Sequence, residues 1–161
     1  MLTQSAFVPI ALGFFGLGCG YFIWGGQSLT GWPKSLPEND KTMGLWGIWM
    51  PGFMQFLTGI ILFIGLTWFQ VFNDPAKGNV SGLYMASVAF TAYGIHWFAL
   101  GYRRYIGASS QPDGWMAIAF LILSLLGALV FFLDADAPVG ILFVGLCLIY
   151  LSEIFARFLS S

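Results

Sequence analysis

Phe90-Thr91-Ala92-Tyr93-Gly94-Ile95-His96-Trp97 lies inside an apolar run from Val80 to Tyr102. That run is about 20 residues long, the length an α-helix needs to cross the hydrocarbon core of a bilayer. It carries His96, the single histidine of the chain. On a helix, Tyr93, His96 and Trp97 stand at i, i+3 and i+4 and therefore share one face. An imidazole at membrane depth is costly unless it faces a protein interior or water. Two roles are open to it: a hydrogen bond between helices, or a polar point along a permeation path.

The rest of the composition fixes the class. Of 161 residues, 58% are hydrophobic and 8% are charged, against roughly 25% charged residues in a soluble domain. The chain is expected to be an integral membrane protein. A net charge of −1 and the lack of a basic patch leave no footprint for nucleic acid. Cys19 and Cys147 sit in apolar segments without metal-type spacing and read as small buried hydrophobes. Met1 to Ala6 lack the basic start of a cleavable signal, so the first apolar segment is expected to remain as a helix.

Five apolar segments follow one another, at approximately residues 7–25, 43–72, 80–102, 115–133 and 139–158. Between them stand Pro-, Gly-, Asn- and Asp-rich breaks. Only helices or closed barrels satisfy their backbone groups in lipid, and barrel strands would alternate over about 10 residues. The expectation is an all-α polytopic protein of about five transmembrane helices, a single transmembrane domain over residues 1–161. The second segment exceeds a plain crossing and should tilt, protrude or kink near Pro51.

Small residues line several faces: Gly13, Gly16 and Gly20; Gly52 and Gly59; Gly82, Ala86 and Ala89. Close helix packing is their simplest use; small residues lining a narrow conduit would give the same pattern. Trp24, Trp32, Trp46, Trp49, Trp68 and Trp115 fall near segment ends or in loops, as interfacial anchors do. With five crossings, Lys34, Lys41, Arg103, Arg104 and Arg157 share one side and Lys77 takes the other. The excess of basic residues inside then places the N-terminus outside and the C-terminus in the cytoplasm.

Few strongly polar side chains lie at depth. Gln55 and Thr58 mark the second segment, Ser87, Thr91 and Tyr93 the third, and Ser124 the fourth. The simplest role for Gln55 is an interhelical hydrogen bond, worth about 0.6–2 kcal/mol in membranes. Glu153 and Arg157 are spaced i, i+4 with the acid first, the favourable order for a surface pair; Arg103 and Arg104 can snorkel. No catalytic set emerges, because one histidine without a carboxylate at depth makes no acid–base pair. One histidine also cannot supply two haem ligands, and no metal site or other cofactor is called for. The expectation is therefore a conduit and not an enzyme. Aromatic rings, an amide and hydroxyls suit a small anion or neutral acid, since no carboxylate ring attracts cations.

The quoted stretch resembles the FTSYGxFW signature of the acetate uptake transporters, also called succinate–acetate permeases. Pro51-Gly52-Phe53-Met54-Gln55-Phe56-Leu57-Thr58-Gly59 is similar to that family's GGxxQxxAG, and Lys77-Gly78-Asn79 to the KGN before the same helix. Pro9-Ile10-Ala11-Leu12 is a faint echo of its NPxPLGL motif. The likeness covers roughly residues 9 to 100. It departs at His96, where the family has Phe, and at Leu62, where the family typically has Glu. The family also has six crossings against five here, with its N-terminus in the cytoplasm.

The resemblance implies a homo-oligomer, typically a hexamer, in which each protomer holds its own pore for small monocarboxylates such as acetate. It implies a prokaryotic cytoplasmic membrane. The narrow point would be a Phe-Leu-Tyr constriction, with Phe15 and Tyr93 at motif positions and Leu125 as the third member. Gln55, His96 and Trp97 complete the expected pathway. The opposing expectation, from the missing helix and the small-residue faces, is a non-transporting subunit that packs within a larger membrane complex.

Overall fold

A computed structural model describes residues 6–72 and 80–159. Among these, five helical spans are long and apolar enough to cross a membrane, and no strand is present. The molecule is an all-helical integral membrane protein.

Helix α1 covers Phe7–Thr30 and stops at Gly31. Gly31 takes the left-handed conformation at φ 67° and bonds back to the Gln27 carbonyl, a stop that glycine adopts without a Cβ penalty. Helix α2, Pro37–Gly47, starts on a proline, with Glu38 and Asp40 in its first turn. Proline lacks only a donor that the first turn leaves unused, and the acids oppose the positive end of the helix dipole. A π-helical turn, Ile48–Phe53, joins α2 to α3, Met54–Thr67.

That turn contains Pro51. Proline has no N–H and its ring collides with the carbonyl four residues back, so the ladder widens locally. The distortion expected at Pro51 is thus a π turn. The whole span begins at Pro37 and ends at Thr67, whereas 43–72 was expected. The acids and Lys41 of the polar break are helical because the proline and the first-turn carboxylates start the helix early. Asn73 to Asn79, with Lys77-Gly78-Asn79, lie outside the described residues.

Helix α4, Ser81–Ile106, ends at Gly107, again left-handed at φ 70°. Helices α5, Asp113–Leu133, and α6, Ala137–Leu159, form a hairpin about a tight turn at Asp134–Asp136.

Glycines set the helix spacing. A Cβ at Gly16 would stand 2.6 Å from the Met50 carbonyl oxygen, and one at Gly20 would stand 2.6 Å from the Pro51 ring. Gly44 of α2 and Gly101 of α4 face each other, and a Cβ on Gly101 would meet the Gly44 carbonyl at 2.6 Å. Lipid offers helices no hydrophobic drive to associate, so close backbone approach and interhelical hydrogen bonds do that work. Ser87 Oγ donates to the Gly59 carbonyl at 3.0 Å, and Thr58 Oγ1 to the Pro9 carbonyl at 2.8 Å. Gly16, Gly20, Gly44, Gly59 and Gly101 therefore stand on packing faces, whereas Gly82, Ala86 and Ala89 of α4 line interior space. Helices α1 to α4 make one tightly packed unit, and α5 and α6 pack chiefly on each other. Between unit and hairpin the contact runs through large side chains, which leaves interior space.

Candidate functional site

An aromatic layer fills the middle of the bundle. Tyr93, His96 and Trp97 are all buried, as their shared helical face requires. The Tyr93 ring lies 5.4 Å from Phe120, 6.4 Å from Phe143 and 6.1 Å from Tyr150. His96 lies 4.4 Å from Phe120 and 5.7 Å from Tyr150. Trp97 turns toward α1, edge-on to Tyr21 at 5.6 Å and to Trp24 at 5.0 Å. Such offset and edge-to-face arrangements are the favourable ones for aromatic rings.

Tyr93 Oη and Ser124 Oγ are 2.8 Å apart. Ser124 has a single hydroxyl proton, which it donates to the Phe120 carbonyl at 2.6 Å. Tyr93 must therefore be the donor to Ser124. This chain of bonds ties α4 to α5 at the layer.

A cavity lies on each side of the layer. The first, about 300 Å³, is walled by Phe14, Leu17, Gln55, Phe90, Tyr93 and Phe143, with Asp134 and Asp136 also in its lining. The second, about 210 Å³, is walled by Tyr21, His96, Trp97 and Tyr150, with Arg103, Glu153 and Arg157. The two succeed one another along the same three helices. On α1 the lining passes from Phe14 and Leu17 to Tyr21 and Trp24. On α4 it passes from Tyr93 to His96, and on α6 from Leu146 to Ile149 and Tyr150. The layer of Tyr93, His96, Phe120 and Tyr150 is what separates them.

Gln55 is fully buried, and neither its Oε1 nor its Nε2 has a hydrogen-bond partner among the described residues. The interhelical bond expected for it is absent; Thr58 and Ser87 make those bonds instead. A buried polar group left unmet costs about 1–3 kcal/mol, so its retention in the cavity wall calls for a reason beyond packing. His96 Nδ1 is likewise buried without a partner.

Two expected pathway residues stand elsewhere. Phe15 is 59% exposed and Leu125 is 55% exposed, both on the outer surface of the chain, and neither is brought to Tyr93. Their neighbours occupy the interior: Phe14 meets Phe90 edge-on at 5.1 Å, and Ser124 is fully buried. One residue turns a helix by about 100°, since 3.6 residues complete a turn. A motif match that is one position out therefore selects a different face.

At the basic end, charges expected to snorkel are paired. Arg103 Nε lies 2.9 Å from Asp113 Oδ2. Arg104 bonds Asp40 at 2.7 Å and also Gln27 Oε1, while its guanidinium sits 4.9 Å above the Trp24 ring. Trp24 itself donates to the Met43 carbonyl at 2.9 Å. It is thus a half-buried clasp between α1 and α2. Trp32, Trp46, Trp49, Trp68 and Trp115 are exposed as anchors would be. Arg157 pairs with Glu153 at 3.0 Å, as the i, i+4 spacing predicted, and reaches Ser110 at 2.8 Å. Cys19 and Cys147 are half-buried free thiols, less enclosed than expected.

The sequence reading missed Phe120, Phe143, Tyr150, Tyr21 and Asp134. Tyr21 and Tyr150 carried a signal, each as a hydroxyl-bearing ring within an apolar segment. No protein-family model matches this chain, and no curated protein or solved structure shows significant similarity to it.

Proposed function

We propose that this protein is a membrane conduit for small monocarboxylic acids such as acetate. The observation that carries this reading is the succession of two cavities along α1, α4 and α6, divided only by a layer of aromatic rings. A narrow aromatic constriction between two wider spaces is the geometry of a selective pore. The likeness of the Tyr93 and Gln55 segments to acetate uptake transporters supplies the solute class. Because both cavities lie within one chain, each protomer of a homo-oligomer, a hexamer by the same likeness, would hold its own path. A prokaryotic cytoplasmic membrane fits that assignment.

Reconstitution tests it. Liposomes containing the protein should take up labelled acetate faster than empty liposomes. Replacing Tyr93 or Tyr150 with Ala should open the layer and change rate or selectivity at equal protein content. Uptake no faster than in empty liposomes, together with copurification of larger membrane partners, would instead favour the non-transporting subunit.

A further inference from the structure

We infer that the cavity walled by Phe14, Gln55 and Tyr93 binds its solute as a neutral species, a small undissociated carboxylic acid or the matching primary amide, held by the Gln55 side chain. The inference rests on the conduit reading and adds the chemical form that the site selects.

Three observations lead there. The Gln55 amide places an unused donor beside an unused acceptor in one plane. Its complement is a planar group with an acceptor beside a donor, which –COOH and –CONH2 both provide. A carboxylate is acceptor-only; it would satisfy Nε2 and set a negative charge against Oε1. Among the described residues, no lysine, arginine or histidine lines this cavity, whereas Asp134 and Asp136 do. Asp134 accepts from Ser81 Oγ at 2.6 Å, and Asp136 accepts from the Val139 N–H at 3.3 Å. Among the described residues that line this cavity, an entering anion would meet carboxylates and no basic side chain. The remaining wall is apolar or aromatic, a lining that solvates a short neutral acid and penalises an ion. The cavity across the aromatic layer differs, because Arg103 and Arg157 line it. Gln55 exposes no surface, so a solute would reach the amide only where flanking side chains move aside.

Equilibrium binding of labelled acetate and labelled acetamide to the intact protein in lipid nanodiscs decides the matter. Above the acid's own pKa, the apparent Kd for acetate should weaken about tenfold per pH unit, because only the undissociated fraction binds. Acetamide does not ionise in this range, so its Kd should stay flat and it should displace acetate. A flat acetamide profile assigns both head groups to the site. Acetamide failing to bind while acetate follows its protonated fraction narrows the site to the acid. Gln55→Met keeps the volume and removes both polar atoms; it should weaken binding at least tenfold without lowering the thermal midpoint. Should Gln55→Met not fold, the wild-type pH series still decides. Acetate affinity independent of pH would mean that the anion is bound: the conduit would stand and this inference would fall. Equal pH dependence for both ligands would assign the titration to the protein and overturn it, as would undiminished binding in a folded Gln55→Met. Binding of neither ligand, with no acetate flux, would remove the conduit reading as well.

Discussion

Tyr93 and Ser124 form a donor–acceptor pair sealed in an apolar layer, and their environment makes the pair sensitive to the loss of one partner. Ser124→Ala should strand the Tyr93 hydroxyl and lower stability by about 1–3 kcal/mol. Adding Tyr93→Phe should restore most of that loss, because removing both partners leaves nothing unmet. Thermal unfolding of the two single variants and the double variant in detergent gives the coupling directly; purely additive losses would show that the bond contributes nothing. His96 poses a different question. Its ring contacts with Phe120 and Tyr150 survive in His96→Phe, which also removes the unpartnered Nδ1. Stability should hold or rise. The substitution removes both ring nitrogens from the layer, so acetate flux through the variant should differ from that of the wild type at equal protein content; unchanged flux in a stable variant would take His96 off the path.

At the scale of helices, backbone proximity governs the assembly. Gly44 and Gly101 let α2 and α4 touch main chain to main chain, where no side chain can move aside for an added methyl. Gly101→Ala should cost about 1–3 kcal/mol through overpacking. Gly18 has nothing within 4 Å of a built Cβ, so Gly18→Ala should be neutral or stabilising by up to about 1 kcal/mol, the helix-propensity gain. Thermal midpoints in one detergent compare the two; equal effects would refute the role of close approach. The π turn at Pro51 acts at the same scale. By taking more residues per turn than an α-helix, it resets the phase of α3 against α2, and with it the face on which Gln55, Thr58 and Leu62 are buried.

Over the whole molecule, charge gathers at one end. Lys41, Arg103, Arg104 and Arg157 border a common concavity of about 570 Å³, together with Asp40. Four of the five basic residues assigned to that side are therefore clustered in space as well as in topology. A reporter fused after Ser161 should be cytoplasmic; an external C-terminus would overturn the charge-based orientation. Arg104 closes this end by joining α4 to α1 through Gln27 and to α2 through Asp40. Arg104→Ala should loosen the α1–α2 connection, read as faster cleavage between Gly31 and Leu36 in limited proteolysis. An unchanged cleavage rate would show that the clasp carries no load.

Sequence by itself determined the membrane class, the five spans, the distortion at Pro51, the packing glycines and the common face of Tyr93, His96 and Trp97. Each of these follows from local quantities: apolar length against bilayer thickness, a missing N–H, a missing Cβ, and a repeat of 3.6 residues per turn. The site was readable only where one helix suffices. Phe14 and Phe15, or Ser124 and Leu125, are separated by one position in sequence and by about 100° around the helix, so short motif matches could not choose between them. The partners of the layer, Phe120, Phe143 and Tyr150, come from the α5–α6 hairpin, whose placement against α4 is a long-range contact that no local pattern encodes. The unmet amide of Gln55 was likewise decided by tertiary structure. A hydrogen-bonding group shows in the sequence, but whether a partner reaches it depends on how the helices around it are set.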